Sequence, residues 1–124
     1  MAKILIAEDE PDIRELVTFM LKFAGYEVVA ASNGEDAVRT ASRERPDLVL
    51  MDVRMPRMTG YDACRMMKAN PDLRNVPVVF LSAKGQESEI QSGLEAGAEE
   101  YLLKPFSPAE LTHRVQGILA RHGK

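Results

Sequence analysis

Apolar positions along the chain fall into two alternating patterns, short solid runs and longer stretches with a helical period. Lys3-Ile-Leu-Ile-Ala7 is a mostly aliphatic run that stops at Glu8-Asp9-Glu10, as a strand buried on both faces would. Pro11 suits the first turn of a helix, and Ile13, Leu16, Val17, Met20 and Leu21 follow at the spacing of one apolar helix face, up to Gly25. Val28 to Ala31 predicts a second strand. Asn33-Gly34 caps a helix that turns Ala37, Val38 and Ala41 inward, and Pro46 closes it. Leu48-Val-Leu-Met51, too short for a buried helix, predicts a central strand ending in Asp52. A loop from Arg54 to Gly60 leads to a helix through Ala63, Met66 and Met67, stopped by Asn70-Pro71. Val76 to Leu81 predicts a fourth strand. After a turn from Ser82 to Gly85, Ile90 and Leu94 mark a helix ended by Gly97, and Tyr101-Leu-Leu103 a short fifth strand. A last helix starts near Pro108 and buries Leu111, Val115, Ile118 and Leu119.

Strands alternating with helices in this way imply an α/β fold, a doubly wound five-stranded parallel sheet flanked by five helices, because right-handed crossovers place helices on both faces. With 124 residues, 45% hydrophobic and 28% charged, the expectation is one domain over residues 1–124 with a core large enough to need no staples. The single Cys64 forms no internal bridge and suits a reducing compartment. No apolar run approaches the ~20 residues that span a bilayer, so a cytoplasmic location is expected. Lys and Arg total 16 against 19 Asp and Glu, net charge -3, which offers no general attraction to nucleic acid phosphates.

In doubly wound sheets, ligands bind outside the carboxyl ends of the strands. The residues collected there are Glu8, Asp9, Asp52, Ser82 and Lys104. Singly, each has an ordinary reading: Glu8-Asp9 can favour a helix N-terminus, and Lys104 can be a solvated surface lysine. Together they place acids close enough to repel, which a hard divalent cation relieves; Mg²⁺ favours a few carboxylates with a phosphate oxygen. A magnesium and phosphoryl site is the chemical inference.

These motifs, in order, make the sequence resemble the receiver domain of two-component response regulators. The resemblance rests on Glu8-Asp9, on Asp52 in Leu-Val-Leu-Met-Asp-Val-Arg-Met-Pro, on Gly60, on Ser82-Ala83 and on Tyr101-Leu-Leu-Lys-Pro-Phe106, and covers essentially the whole chain. It implies a phosphoacceptor that takes a phosphoryl group from a sensor histidine kinase or histidine phosphotransfer protein onto Asp52. It also implies that Asp9, Asp52 and the Arg54 backbone carbonyl bind Mg²⁺, with Glu8 acting through a bound water. Lys104, Ser82 and the Ala83 amide would hold phosphoryl oxygens, Tyr101 would switch with Ser82, and Lys104-Pro105 would be a cis bond. Such a protein is a switch for an output partner the sequence does not name, not a conventional enzyme. An aspartate-nucleophile hydrolase of the haloacid dehalogenase type would carry an acid where Arg54 stands, and a flavodoxin a Gly/Ser/Thr-rich loop where Glu8-Asp9-Glu10 stands. Phe19 falls off the core face of the first helix, a candidate anchor for a histidine-bearing helical partner. The stretch from Gly93 to Leu111 resembles that of regulators that form a phosphorylation-dependent homodimer, with Glu99, Glu100, Glu110, Arg114 and Arg121 as complementary charges and Ile90 where a basic residue is usual.

Overall fold

A computed structural model describes residues 1–82, 87–104 and 106–124, the Glu87 and Ser88 side chains excepted. The elements are β1 (Lys3–Ala7), α1 (Pro11–Phe23), β2 (Glu27–Ala31), α2 (Gly34–Glu44), β3 (Leu48–Asp52), α3 (Gly60–Ala69), β4 (Val78–Ser82), α4 (Glu87–Glu95), β5 (Glu100–Leu103) and α5 (Pro108–Arg121). All strand pairs are parallel, in the order β2-β1-β3-β4-β5. The chain moves outward from β1 to β2, then returns to the other side of β1 for β3. This reversal opens a crevice at the carboxyl ends of β1 and β3.

Strand alternation sorts the side chains into two cores, since successive residues point to opposite faces. Leu5, Ala7, Val49, Met51, Val78 and Phe80 face one layer, against Ala37, Ala41, Ala63, Cys64 and Met67 of α2 and α3. Ile4, Ile6, Leu48, Leu50, Val79 and Leu81 face the other, against Val17 and Leu21 of α1 and Leu111, Val115, Ile118 and Leu119 of α5. Cys64 is buried and donates its thiol to the Ala96 carbonyl at 3.3 Å. No helix among the described residues is long and apolar enough to cross a membrane.

The element ends follow local chemistry. Pro11 opens α1, and Gly25 ends its C-terminal turn with φ +100°. The Asn33 side chain accepts from the Asp36 amide at 2.8 Å and caps α2, an arrangement typically contributing ~1 kcal/mol. Thr59 and Ser107 cap α3 and α5 in the same way; the Thr59 cap is one not expected from the sequence. The fourth strand starts at Val78 instead of Val76, because Pro77 has no N–H to give the ladder.

Leu16, expected on the inward face of α1, is exposed, and so are Met66 and Leu94, which marked two other helices. The buried face of α1 centres on Val17 and Leu21, and Leu16, about 100° round the helix from Val17, is 57% exposed. Met66 is 50% exposed because α3 turns Gly60, Ala63, Cys64 and Met67 to the sheet instead. On α4 the inward position belongs to Gly93, not Leu94: a Cβ on Gly93 would come within 3.0 Å of the Phe80 ring and 3.1 Å of the Tyr101 ring. Leu94 is turned outward, 46% exposed.

The charges at β5 and α5 pair within the protomer. Arg114 donates to Glu100 at 2.8 Å, and Arg121 to Glu99 at 2.9 Å and Glu100 at 2.8 Å. Partial burial of the two carboxylates favours protonation, but bonds from Arg121, with His122 on Glu99 and Arg114 on Glu100, outweigh it and hold both below the usual range. A carboxylate with a depressed folded pKa adds stability above its unfolded pKa and loses it as pH falls. Arg121→Ala should therefore lower the Tm at neutral pH by a margin that shrinks as these carboxylates protonate below about pH 4. Thermal unfolding against pH checks this; a margin independent of pH would refute it.

Candidate phosphoryl and metal site

The register brings the acids together. Ala7 pairs with Met51, so Glu8 and Asp52 follow side by side across the crevice; Asp52 pairs with Leu81 and Ser82 with Leu103. Asp52 and Ser82 are thus the last residues of β3 and β4. Glu8 is fixed through its backbone, its N–H donating to Ala31 at 3.0 Å and its carbonyl accepting from Arg14 Nη1 at 2.8 Å. The Lys104 N–H donates to the Ser82 carbonyl at 2.8 Å, extending the ladder and setting the ammonium over the cluster.

Glu8, Asp9 and Asp52 each present a carboxylate oxygen within 4.8 Å of the others. Lys104 Nζ lies 2.7 Å from Glu8 Oε1 and 3.8 Å from Asp52 Oδ2. The Glu8 side chain is fully buried, and its Oε2 has no hydrogen-bond partner. An unpaired buried carboxylate oxygen costs several kcal/mol unless a cation or proton meets it. Burial, then the neighbouring Asp52, raise the pKa of Glu8 against the pull of Lys104; burial and the adjacent Glu8 raise that of Asp9, whose residue is exposed. Hard oxygen donors with excess negative charge and an orphaned oxygen fit a divalent cation such as Mg²⁺.

Gly60 shapes the loop that closes the site. A Cβ there would stand 2.3 Å from the Asp52 carbonyl oxygen, and the Gly60 N–H bonds the Val53 carbonyl at 2.8 Å. Only glycine lets the start of α3 press this closely behind Asp52. The Arg54 side chain is exposed and lies within electrostatic reach of Tyr61. The Ala83 amide and the Lys104-Pro105 bond expected at this site lie outside the described residues.

The sequence reading missed one aromatic. Tyr61 packs edge-on against Phe80, ring centroids 5.2 Å apart, and Phe80 contacts Tyr101 at 6.2 Å. The Tyr61 hydroxyl donates to the Glu89 carbonyl at 3.1 Å, linking α3 to α4. Burial, then a hydrogen bond with Tyr101, push the Tyr61 pKa up to about 12. Its only signal in the sequence is its place after Gly60, at the start of a helix.

Among the described residues three carboxylates face one ammonium, and this predicts that Asp52→Asn, tested without divalent cations, unfolds at a higher temperature than wild type. Calorimetry in EDTA checks this, and a lower Tm would count against the charge balance described above.

The family model for the response regulator receiver domain matches residues 4–116. A probable transcriptional regulator, ycf27, of Pyropia yezoensis is 43% identical over 98% of this chain and 49% of its own length. The alkaline phosphatase synthesis transcriptional regulatory protein PhoP of Bacillus subtilis is 40% identical over 96% of this chain and 48% of its own length. The chain therefore spans about half the length of these relatives. Among solved structures, the receiver domain of the sensor histidine kinase PA1611 from Pseudomonas aeruginosa, with magnesium in its active site cleft, superposes with a TM-score of 0.90. It is 38% identical, over 96% of this chain and 98% of that one.

Proposed function

The chain belongs to the response regulator receiver domain family, and from that membership we propose that it is a phosphoacceptor switch with Asp52 as the accepting residue. The observation that carries this is Lys104 Nζ, set between Glu8 and Asp52 at the mouth of a three-carboxylate cluster. In the proposed reaction an Asp52 carboxylate oxygen attacks the phosphorus of a phosphohistidine. The new P–O bond forms as the P–N bond breaks, and the imidazole nitrogen keeps the electron pair. Glu8, Asp9 and Asp52, with the Arg54 carbonyl, are the groups that would hold Mg²⁺. When bound, the ion neutralises the acids and charge on the phosphoryl oxygens.

Lys104 orients a phosphoryl oxygen by charge-assisted hydrogen bonding, exchanging Glu8 for the incoming group. Ser82, at the end of β4, and the Ala83 amide would bond the others. Tyr101 would then follow Ser82; its ring lies on Phe80, and its link to Tyr61 offers a mechanical connection to α4. The role is that of a signalling protein whose output is a changed surface, acting with a cytoplasmic histidine kinase or phosphotransfer partner.

The face offered to that partner is apolar and adjoins the site. Leu16, Phe19 and Phe23 are exposed on α1, and the two Phe rings stack 6.2 Å apart. Beside them a groove lined by Ile13, Leu16, Met20, Phe106 and Pro108 runs up to Lys104, so a helix seated there brings its histidine to Asp52. Self-association of the phosphorylated form through α4, β5 and α5 is also proposed. It requires Arg114 and Arg121 to exchange their internal partners for those of a second copy.

Acetyl phosphate with Mg²⁺ should label wild type on Asp52 and leave Asp52→Asn unlabelled, read by intact mass; Asp9→Ala should need far more Mg²⁺. Label on Asp52→Asn would overturn the assignment. Phe19→Ala should slow transfer from a cognate kinase several-fold more than transfer from acetyl phosphate, and equal slowing would remove the docking face. Light scattering of the labelled protein should show a dimer; a monomer with and without label would dispose of the self-association.

A further inference from the structure

On the β2 side of the sheet, separate from the acid cluster, lies a cleft of about 340 Å³ with a basic wall. Arg14 reaches it from α1, Ser32 from the end of β2, and Asp36, Arg39, Thr40 and Arg43 from one face of α2. Three arginines thus line the cleft against Asp36, with Glu44 pairing Arg43 beside it, a local excess of positive charge on a chain whose net charge is -3. The arginines are held but not used up. Arg14 Nη1 bonds the Glu8 carbonyl at 2.8 Å, Arg39 bonds Asp36, and Arg43 Nε bonds Glu44 at 3.3 Å. Each guanidinium has five N–H donors, so each keeps several for a ligand.

Thr40 supplies the second observation. It is 8% exposed, yet its hydroxyl makes no hydrogen bond to any described residue. A helical threonine usually satisfies itself by bonding a carbonyl one turn back, as Thr112 does to Pro108 at 2.8 Å. Thr40 does not, and it lines the cleft instead. The Thr40 oxygen is not sealed from solvent but opens onto the cleft beside cationic donors, where its hydroxyl can donate to a ligand oxygen.

We propose that this cleft binds the diphosphate group of a small molecule, with Arg14, Arg39 and Arg43 on the phosphoryl oxygens and the Thr40 hydroxyl on one of them. Guanidinium forks match phosphate oxygens in shape and charge. The cleft lies within the size range of small-molecule sites, and its concave form and internal Asp36 disfavour the extended stripe that a nucleic acid would need. The diphosphate can be free or part of a nucleotide.

Sodium pyrophosphate, ADP and sulfate are titrated separately into the full chain in EDTA at fixed ionic strength, following backbone amide shifts by NMR. Pyrophosphate should give saturable shifts at Ser32, Arg39, Thr40 and Arg43, with sulfate giving little. The exposed-surface double variant Arg39→Gln, Arg43→Gln should weaken binding at least ~tenfold, and the near-isosteric Thr40→Val several-fold. ADP binding more tightly than pyrophosphate identifies a nucleotide as the source; equal binding identifies the free diphosphate. No saturable shift, equal affinity in the double variant, sulfate binding as well as pyrophosphate, or shifts centred on Ser82 and Lys104 would each overturn the proposal.

Discussion

Glu8 directly follows β1 as a carboxylate with no exposed surface and one unpartnered oxygen, and the chemistry at the sheet edge is organised around satisfying it. The sheet order places β3 beside β1 with Asp52 level with it, and among the described residues the only ammonium set over both acids belongs to Lys104, 96 residues beyond Glu8 along the chain. Lys104 is closer to Glu8 than to Asp52. A single cation therefore serves two carboxylates, with Asp9 adding a third at the rim. A site with this imbalance is primed for a divalent cation and for an anionic group that can take over the lysine.

The layers behind the site keep this arrangement in place. Strands with side chains buried on both faces leave little freedom to slide, because a shift of one residue would swap the two cores. Gly60 lets the α3 N-terminus rest against the Asp52 carbonyl, and Gly93 lets α4 rest against Phe80 and Tyr101. Two positions without a side chain thus bring helices close to the carboxyl end of β3 and to the Tyr61–Phe80–Tyr101 column. A change at Ser82 or Tyr101 has a short packed route to α4, where Tyr61 already holds the Glu89 carbonyl.

Much of this was legible in the sequence because it is local. Solid apolar runs read as doubly buried strands, Pro11, Asn33, Gly25 and Gly97 sit at the helix ends, and the acids fall at strand ends. Tertiary geometry decided the rest. Leu16, Met66 and Leu94 fit a helical apolar period, yet each faces outward, because the contact is set by Val17 and Leu21, by Ala63 and Cys64, and by the space Gly93 leaves for two rings. Period identifies a stripe but not its centre. The pairing of Lys104 with buried Glu8 and the orphaned oxygen depend on distances that no spacing rule supplies. Thr40 likewise reads as an ordinary helix residue until the fold sets it on the wall of a basic cleft.

The central claim is that Lys104, the one ammonium over the cluster among the described residues, leaves the carboxylates under-neutralised and that a divalent cation completes the site. Differential scanning calorimetry across a Mg²⁺ titration, with K⁺ holding ionic strength constant, tests this in the absence of any phosphodonor. The account predicts a saturable rise in Tm for wild type and a much smaller rise for Asp9→Ala. A wild-type Tm unmoved by Mg²⁺, or an equal rise in the variant, would contradict it.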